Sequence, residues 1–417
     1  MKILVVGGGG REHALIWKLS QSKKAPKIYC APGNGGIAQL AECVPIGASD
    51  VGAICNFAEA RRVDMVVVGP DDPLALGCAD ACEARGIRVF GPRRAEARLE
   101  WSKIYAKELM KRHGVPTADF QSYDDAGAAL AALASARYPL FVKADGLALG
   151  KGAVMAADRA QAEAAVRSMM LDKSFGDAGS RILLEECLEG PEITVLAFTD
   201  GNVIKPMLSS QDHKRAFDGD LGPNTGGMGA IAPSPAYTAA IERECAEKVF
   251  APTLDMLRRE GIRYRGVLYF GLMLTGGGVR VIEYNARFGD PEAQPLMTLL
   301  KNDLIDVFDA VIDGRLDKLE LKWENGFSAC VVAASGGYPG PYKTGYEIDI
   351  APNAGALVFH AGTRLENGRH YTSGGRVLGV TARGADLREA VARAYEGLRG
   401  VSFADMQYRT DIGGGAR

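Results

Sequence analysis

The chain has 417 residues, of which 47% are apolar and 24% charged, with a formal charge of −2 at pH 7. At about 100–200 residues per domain this gives room for two to four domains with ordinary cores, and it excludes a surface that attracts nucleic acid or anionic membrane as a whole. Eight cysteines without metal-knuckle spacing point to reduced thiols; no signal peptide opens the chain and no apolar run approaches the ~18–20 residues of a membrane span, so a cytoplasmic protein is expected.

Residues 3–6 form a short apolar run that ends in Gly7-Gly8-Gly9-Gly10, and residues 11–20 continue with a helical pattern. Residues 27–31 lead into Pro32-Gly33-Asn34, 65–68 stop at Gly69-Pro70, and 87–90 stop at Gly91-Pro92. Strands separated by helical stretches and closed by Gly or Pro predict an open parallel α/β sheet. Ligands in such sheets meet the loops at the carboxyl ends of the strands. That places the tetraglycine, Pro32-Gly33-Asn34 and Gly69-Pro70-Asp71 along one edge. A dinucleotide fingerprint is not met: its third glycine would fall at Glu12 or His13, and no acidic residue closes the second strand. There remains a helix N-terminus behind a glycine turn. It is either a phosphate cradle with Arg11 adding charge or a tight turn with no ligand.

From about Glu100 the texture changes. Residues 101–113 read as a helix, 140–143 as a strand and 153–156 as a second strand. Between those strands, Lys143-Ala144-Asp145-Gly146-Leu147-Ala148-Leu149-Gly150-Lys151-Gly152 departs from a P-loop. Three residues rather than four separate Gly146 from Gly150, and Gly152 stands where Ser or Thr would hold magnesium. Strand, glycine loop, strand is a hairpin flap. It can fold over a triphosphate with Lys143 and Lys151 as point charges, or be a plain exposed hairpin tip.

Residues 160–170 read as helical and 181–186 as a strand, before a larger α+β region over 194–313. Within it, Ser209-Ser210-Gln211-Asp212-His213-Lys214-Arg215 and Gly222-Pro223-Asn224-Thr225-Gly226-Gly227-Met228-Gly229 are too rich in glycine and charge for a core. They read as an ordered loop over anionic ligands or as a solvated face, with His213 structural rather than a general base. Residues 279–287 alternate, so Glu283, Asn285 and Arg287 share a strand face. A carboxylate and an amide oxygen together suit Mg²⁺, which completes its shell with phosphates and water. Arg287 beside them can fork a carboxylate or a transferring phosphoryl group. The alternative is a polar strand edge. After Trp323 comes a strand-rich tail with one helix near 387–398.

Gly9-Gly10-Arg11-Glu12-His13-Ala14, the Lys143–Gly152 flap, Gln211-Asp212-His213-Lys214-Arg215, the glycine-rich sequel at 222–229 and Arg287-Phe288-Gly289-Asp290-Pro291-Glu292 occur in this order. Together they resemble the phosphoribosylamine–glycine ligases (glycinamide ribonucleotide synthetases) of the ATP-grasp family, over essentially the whole chain. The resemblance implies an α/β and α+β multidomain fold. An N-terminal open parallel sheet would occupy 1–102. An ATP-grasp domain would occupy 103–325, with a lid at about 123–192, and a small strand-rich domain 326–417.

The activity implied is ligation of glycine to 5-phosphoribosylamine in purine biosynthesis, with ATP and with Mg²⁺ or Mn²⁺. Glycyl phosphate would be the intermediate. By matching position, Lys103, Lys143, Gly150, Lys151 and Gly152 would hold the ATP phosphates. Glu185, Glu186 and Leu188 would bind adenine, and Glu192 the ribose hydroxyls. Glu283 and Asn285 would ligate the metal. Asp212, Lys214, Arg215, Arg287 and Asp290 would surround the reacting groups. Gly10, Arg11, Gly33 and Asn34 would face the sugar phosphate, and Gly226 and Gly227 would bind substrate. Leu149 and Asp71-Asp72 depart from the family pattern, and Gly413 to Arg417 receive no role. The chain looks like the single-function form, acting on small molecules as a monomer or weak homodimer. The rival is another ATP-grasp carboxylate–amine ligase or carboxylase, which would lack Gln211-Asp212-His213-Lys214-Arg215.

Overall fold

The computed structural model describes residues 1–147, 152–352 and 355–414. Strands β1 (Lys2–Gly7), β2 (Lys27–Pro32), β3 (Glu42–Cys43), β4 (Met65–Val68) and β5 (Arg88–Phe90) form one sheet in the order β3-β2-β1-β4-β5. All four pairings are parallel, as the run of apolar stretches predicts. Ile3, Leu4, Val5 and Val6 are fully buried, as strands covered on both faces must be. Sheet order reverses at β1, which puts the glycine turn after it and the loops after β2 and β4 into one crevice.

Four further strands, β6 (Phe120–Tyr123), β7 (Leu140–Ala144), β8 (Ala153–Ala156) and β9 (Ile182–Glu186), make an antiparallel sheet in the order β6-β9-β7-β8. The predicted flap is the β7–β8 hairpin. This unit encloses its own core, in which Ala129, Leu133, Val142, Ala162, Val166, Met169 and Ile182 pack together.

The body is one long sheet. β10 (Glu192–Thr199), β11 (Ile204–Asp212), β14 (Gly229–Ala232), β15 (Gly266–Thr275) and β16 (Gly278–Asn285) supply one part; between β11 and β14 lies a small hairpin of β12 (Arg215–Phe217) and β13 (Leu221–Asn224). The C-terminal strands β17 (Phe327–Ser335), β19 (Ala356–His360) and β22 (Arg376–Gly384) continue the same sheet, in the order β16-β15-β10-β11-β14-β17-β22-β19. Outside that order, β18 (Glu347–Ile350), β20 (Thr363–Glu366), β21 (Arg369–Thr372) and β23 (Val401–Ser402) form a small sheet; β24 (Met406–Gln407) pairs with β17. The helix Leu387–Arg399 packs on β17 and β22 through Ala390, Ala394 and Leu398.

Two cores bind the N-terminal sheet to this body. In one, Phe90 stacks on Phe308 at 3.9 Å, with Phe198 and Phe288 edge-on or tilted nearby. Each such ring stabilises by about 1.5–3 kcal/mol through burial, so the two parts are not separable. Among the described residues no helix is long and apolar enough to cross a membrane.

Three local readings change. Residues 101–113 are not one helix: Arg94–Trp101 ends and Lys103–His113 begins at Ser102, whose hydroxyl accepts from the Tyr105 N–H as an N-cap. The helix read at 160–170 is an α-helix over Arg159–Val166 that widens into a π-turn. β16 ends at Asn285, so Arg287 lies just past the strand.

Candidate active site

A cavity of about 490 Å³ opens between the lid, the central sheet and the crevice edge of the N-terminal sheet. Lys103, Lys143, Gly152, Glu185, Glu186, Leu188, Glu192, Asp212, Lys214, Gly226, Glu283, Asn285, Arg287, Asp290 and Arg11 line it. Gly10, Gly33, Asn34, Arg215 and Gly227 are not in its wall. Gly150 and Lys151 lie outside the described residues.

On the lid side, β7 presents Lys143 and the antiparallel β9 presents Glu185 opposite Phe141. The Lys143 ammonium meets the Glu185 carboxylate at 2.6 Å, and Lys107 reaches its other oxygen at 3.2 Å. Lys107 also donates to the Thr117 hydroxyl at 2.6 Å. Burial, partly offset by Glu185, lowers the Lys107 pKa to about 8. Asp145 accepts from the Ser102 hydroxyl at 3.1 Å and from the Ile104 N–H at 3.0 Å, which ties the base of the glycine loop to the helix that carries Lys103. The Lys103 ammonium in turn reaches the Gly146 carbonyl at 3.4 Å.

The floor comes from β16. Strict alternation would put Glu283 on the same face as Val279 and Val281, which are buried in the core. The β15–β16 register shifts between Gly271 and Leu272, leaving Ile282 as an extra residue. A bulge of this kind re-aims the side chains beyond it, and here it turns Glu283 and Asn285 toward the cavity. Burial works against the Glu283 carboxylate, yet Lys103, Lys143, Lys214 and Arg287 outweigh it and hold its pKa below the usual carboxylate range. An ionised carboxylate next to an amide oxygen is a hard-oxygen pair that fits Mg²⁺ or Mn²⁺ sharing phosphate oxygens. No cluster of three or more His, Cys, Asp or Glu that could hold a metal occurs among the described residues.

Arg287 is fixed by Glu100 at 2.9 Å and by the Asn285 amide oxygen at 3.3 Å. Burial pushes the Glu100 carboxyl up to about 7 against the pull of Arg287, and Glu100 also accepts from the Ala286 N–H at 2.7 Å. At the end of β11, Asp212 is driven well above its ordinary range by burial and by nearby Glu292. Lys214 pairs with Glu192 and lies 3.7 Å from Asp212. Burial opposes its charge, but Glu192 foremost keeps the ammonium charged. Glu192, matched to the ribose hydroxyls, is therefore also a partner of the acceptor-side lysine.

Asp290 is held ionised, against burial, by Arg376 and Arg11. Arg376, at the start of β22, donates one N–H set to the carbonyls of Gly226 and Asp290, both at 2.6 Å, and lies 3.4 Å from the Asp290 carboxylate. Tyr338 accepts from the Gly226 N–H at 3.1 Å, so the C-terminal region grips this turn from both sides. At Gly227, with φ of +111°, a Cβ would come within 2.5 Å of the Asp212 carboxylate. At Gly10 it would come within 2.5 Å of the Gln294 amide.

The remaining expected residues serve the scaffold. Arg11 pairs with Glu12 at 2.5 Å and donates to the Phe288 carbonyl at 3.1 Å, although its side chain still reaches the cavity wall. The Asn34 amide donates to the carbonyls of Gly8 and His360 and its oxygen accepts from the N–H groups of Gly36 and Ile37, so every polar atom is engaged away from the cavity. Gly33 is pressed against Cys43 beside it. The Arg215 guanidinium closes its own hairpin onto the Gly222 carbonyl at 2.8 Å. His213 is structural, as expected: its ring lies between the Gly229 carbonyl and the Gly413 N–H. Glu292, the last residue of the Arg287–Glu292 motif, also lines the cavity, as do Glu100, Lys107, Tyr269, Tyr338 and Arg376, which the sequence pattern does not single out. Lys107 had a signal, because it stands one helical turn after Lys103.

A cationic cradle, an ionised carboxylate–amide pair and an acceptor-side loop thus converge on one cavity. Comparison with known proteins finds relatives along the whole chain. Residues 1–100, 101–293 and 328–415 match the models for the phosphoribosylglycinamide synthetase N domain, ATP-grasp (A) domain and C domain. The chain is 45% identical over 416 residues to the phosphoribosylamine–glycine ligase of Caldanaerobacter subterraneus subsp. tengcongensis, covering 100% of both. It is 46% identical over 420 residues to that of Salmonella typhimurium, covering 99% of this chain and 98% of the relative. The Gallus gallus trifunctional purine biosynthetic protein adenosine-3 is 47% identical over 419 residues, which are 99% of this chain and 42% of that one. Among solved structures, the phosphoribosylamine–glycine ligase of Thermotoga maritima superposes with a TM-score of 0.85 at 32% identity, covering 99% of this chain and 100% of that one. A biotin carboxylase of Campylobacter jejuni, at 16% identity and a TM-score of 0.77 over 98% and 92% of the two chains, shares the fold alone. Matched by family models and relatives from end to end, this chain belongs to the phosphoribosylamine–glycine ligase family of ATP-grasp enzymes.

Proposed function

We propose that this chain joins glycine to 5-phosphoribosylamine, converting ATP to ADP and phosphate and yielding glycinamide ribonucleotide. The observation that carries this reading is the contact between the two halves of the cavity, where Lys214 bridges Glu192 on the nucleotide side and Asp212 on the acceptor side. Phosphoryl transfer is mostly positioning and charge stabilisation. Lys103, Lys143 and Gly152 hold the phosphates of ATP, a role the sequence match extends to Gly150 and Lys151, while Glu185, Glu186 and Leu188 receive the base. Glu283 and Asn285 would hold Mg²⁺ or Mn²⁺, which when bound neutralises phosphate charge.

A glycine carboxylate oxygen attacks the γ-phosphorus, and the bond to the β-γ bridging oxygen breaks. Arg287, locked by Glu100 and Asn285, and Lys214 carry the charge that develops. The ribosylamine nitrogen then attacks the carbonyl carbon of glycyl phosphate and phosphate leaves. Asp212, beside Lys214, orients the attacking nitrogen, and the amine proton passes to the departing phosphate. Arg11, Asp290, Gly226 and Gly227 frame the acceptor; Gly10, Gly33, Asn34 and Arg215 act by shaping that frame. A closed lid shields the acyl phosphate from water. We take the three parts to divide near 102 and 325 and the chain to act as a monomer or weak homodimer in the cytosol, a reducing compartment with which eight free cysteines accord.

Glycine labelled with ¹⁸O in its carboxylate tests the chemistry. One label per turnover should appear in the released phosphate and the other stay in the amide. Unlabelled phosphate would contradict the acyl phosphate route.

A further inference from the structure

The hairpin of β12 and β13 connects Asp212 and Lys214 to Asn224 and Gly226, all in the cavity wall. Its own apolar packing is slight. Ala216 is buried, but Phe217 and Leu221 are 50% and 65% exposed. Hydrophobic burial therefore does not fix where this hairpin stands. A short polar segment near the C-terminus does.

Arg409 is 1% exposed, the largest fully buried side chain of the described residues. Its guanidinium donates to the Arg215 carbonyl at 3.2 Å and to the Asp220 carboxylate at 2.7 Å, and it forks onto Asp411 at 2.7 and 2.8 Å. Asp411 also accepts from the Gly219 N–H at 2.8 Å. The Thr410 N–H donates to Asp218 at 2.8 Å, and its hydroxyl donates to the other oxygen. The Gly413 N–H donates to His213 Nε2 at 3.1 Å, which requires the proton on Nδ1, where the Gly229 carbonyl stands at 3.3 Å. The segment is itself moored to the helix Leu387–Arg399, because the Tyr395 hydroxyl donates to the Arg409 carbonyl and accepts from the Ile412 N–H.

The hairpin is thus tied to 409–413 both at its base, at His213 and Arg215, and at its connecting turn, 218–220. Within this network Arg409 is buried while Asp411 is partly and Asp220 largely exposed, so it contributes little net stability; the best-attested use of such a charge set is to fix one geometry among several. We infer that residues 409–413 form a strap that sets the position of the acceptor loop, with Arg409 a positioning residue for the glycine side of the reaction. The inference rests on the ligase reading. It adds a determinant that neither touches substrate nor lines the cavity.

The test is Arg409→Gln in the full chain. Its KM for glycine should rise about tenfold or more and ADP should exceed glycinamide ribonucleotide, while the KM for MgATP stays within about twofold, since misplacing a reacting group by about 1 Å can cost 10²-fold. Arg409→Lys keeps the charge but loses the fork, and should recover part of the glycine affinity. A lower melting temperature with all KM values and the product ratio unchanged would reduce the strap to a plain structural tie and overturn the inference. Should Arg409→Gln not fold, the exposed end decides: Asp218→Asn with Thr410→Val should raise the glycine KM about threefold, and no change would overturn it. Hydrogen exchange in Arg409→Lys separates this from the ligase reading. Faster exchange over 213–222 with β7 and β9 unaltered supports the strap whatever the substrate; unchanged exchange there contradicts it.

Discussion

The lid and the acceptor loop face each other across one cavity and are held by opposite means. The lid closes Leu133, Val142, Val166 and Ile182 into a core of its own, so it packs as a unit and its geometry survives movement against the body. The loop from Asp212 to Gly229 encloses no comparable core; Arg376 and Tyr338 grip one end of it and the 409–413 segment the other. Hydrophobic contact tolerates sliding, whereas a set of short hydrogen bonds does not. On the proposed function, the nucleotide side is therefore suited to opening and closing, and the acceptor side to standing still. The C-terminal region, through Tyr338 and Arg376, is part of the cavity wall rather than an appendage.

Substitutions can break this contrast at its centre or on either side. Glu283 sits where both halves meet, and Glu283→Gln should cut kcat by about 10³-fold without lowering the melting temperature; ordinary turnover at ordinary magnesium would remove it from the metal pair. Arg376→Ala should reduce kcat/KM for glycine and phosphoribosylamine by about 10²-fold while MgATP affinity holds. An equal loss for MgATP would erase the distinction between the halves. Lys143→Met should do the converse, raising the KM for MgATP about tenfold or more and leaving the glycine KM unchanged once MgATP is saturating.

The smallest effect concerns pH. Lys107 is charged below its lowered pKa of about 8 and neutral above it, so the ion pair with Glu185 is present at low pH and is lost as pH rises. The KM for MgATP should climb about threefold between pH 7 and 9, and Lys107→Met should flatten that dependence. A profile identical in wild type and variant would assign the titration elsewhere.

Much of the nucleotide side was legible because its residues lie in short, ordered runs. The parallel sheet announces itself by apolar runs that end in glycine, and the flap by two strands around a glycine-rich turn. Glu283 and Asn285 emerge from their spacing. The bulge at Ile282 that makes this spacing work does not, because a register shift depends on the partner strand. The acceptor side was legible in Asp212 and Lys214 but not in the groups that hold them. Glu100 meets Ala286 across 186 residues, Arg376 meets Asp290 across 86, and Arg409 meets Asp220 across 189. No local pattern encodes such pairs. Asn34 misleads for a related reason: a polar residue after Pro-Gly suggests a ligand contact, and only the fold reveals four backbone groups already using it. Ser102 could have been read as a helix cap, yet the apolar period runs across it.

The most direct test of the account is ADP release with MgATP when glycine or phosphoribosylamine, generated in place from ribose 5-phosphate and ammonia, is left out in turn. If the two halves form one ligase site, full turnover needs both and yields one glycinamide ribonucleotide per ADP. ADP formed at the full rate with neither present, or only with a different carboxylate, would contradict it.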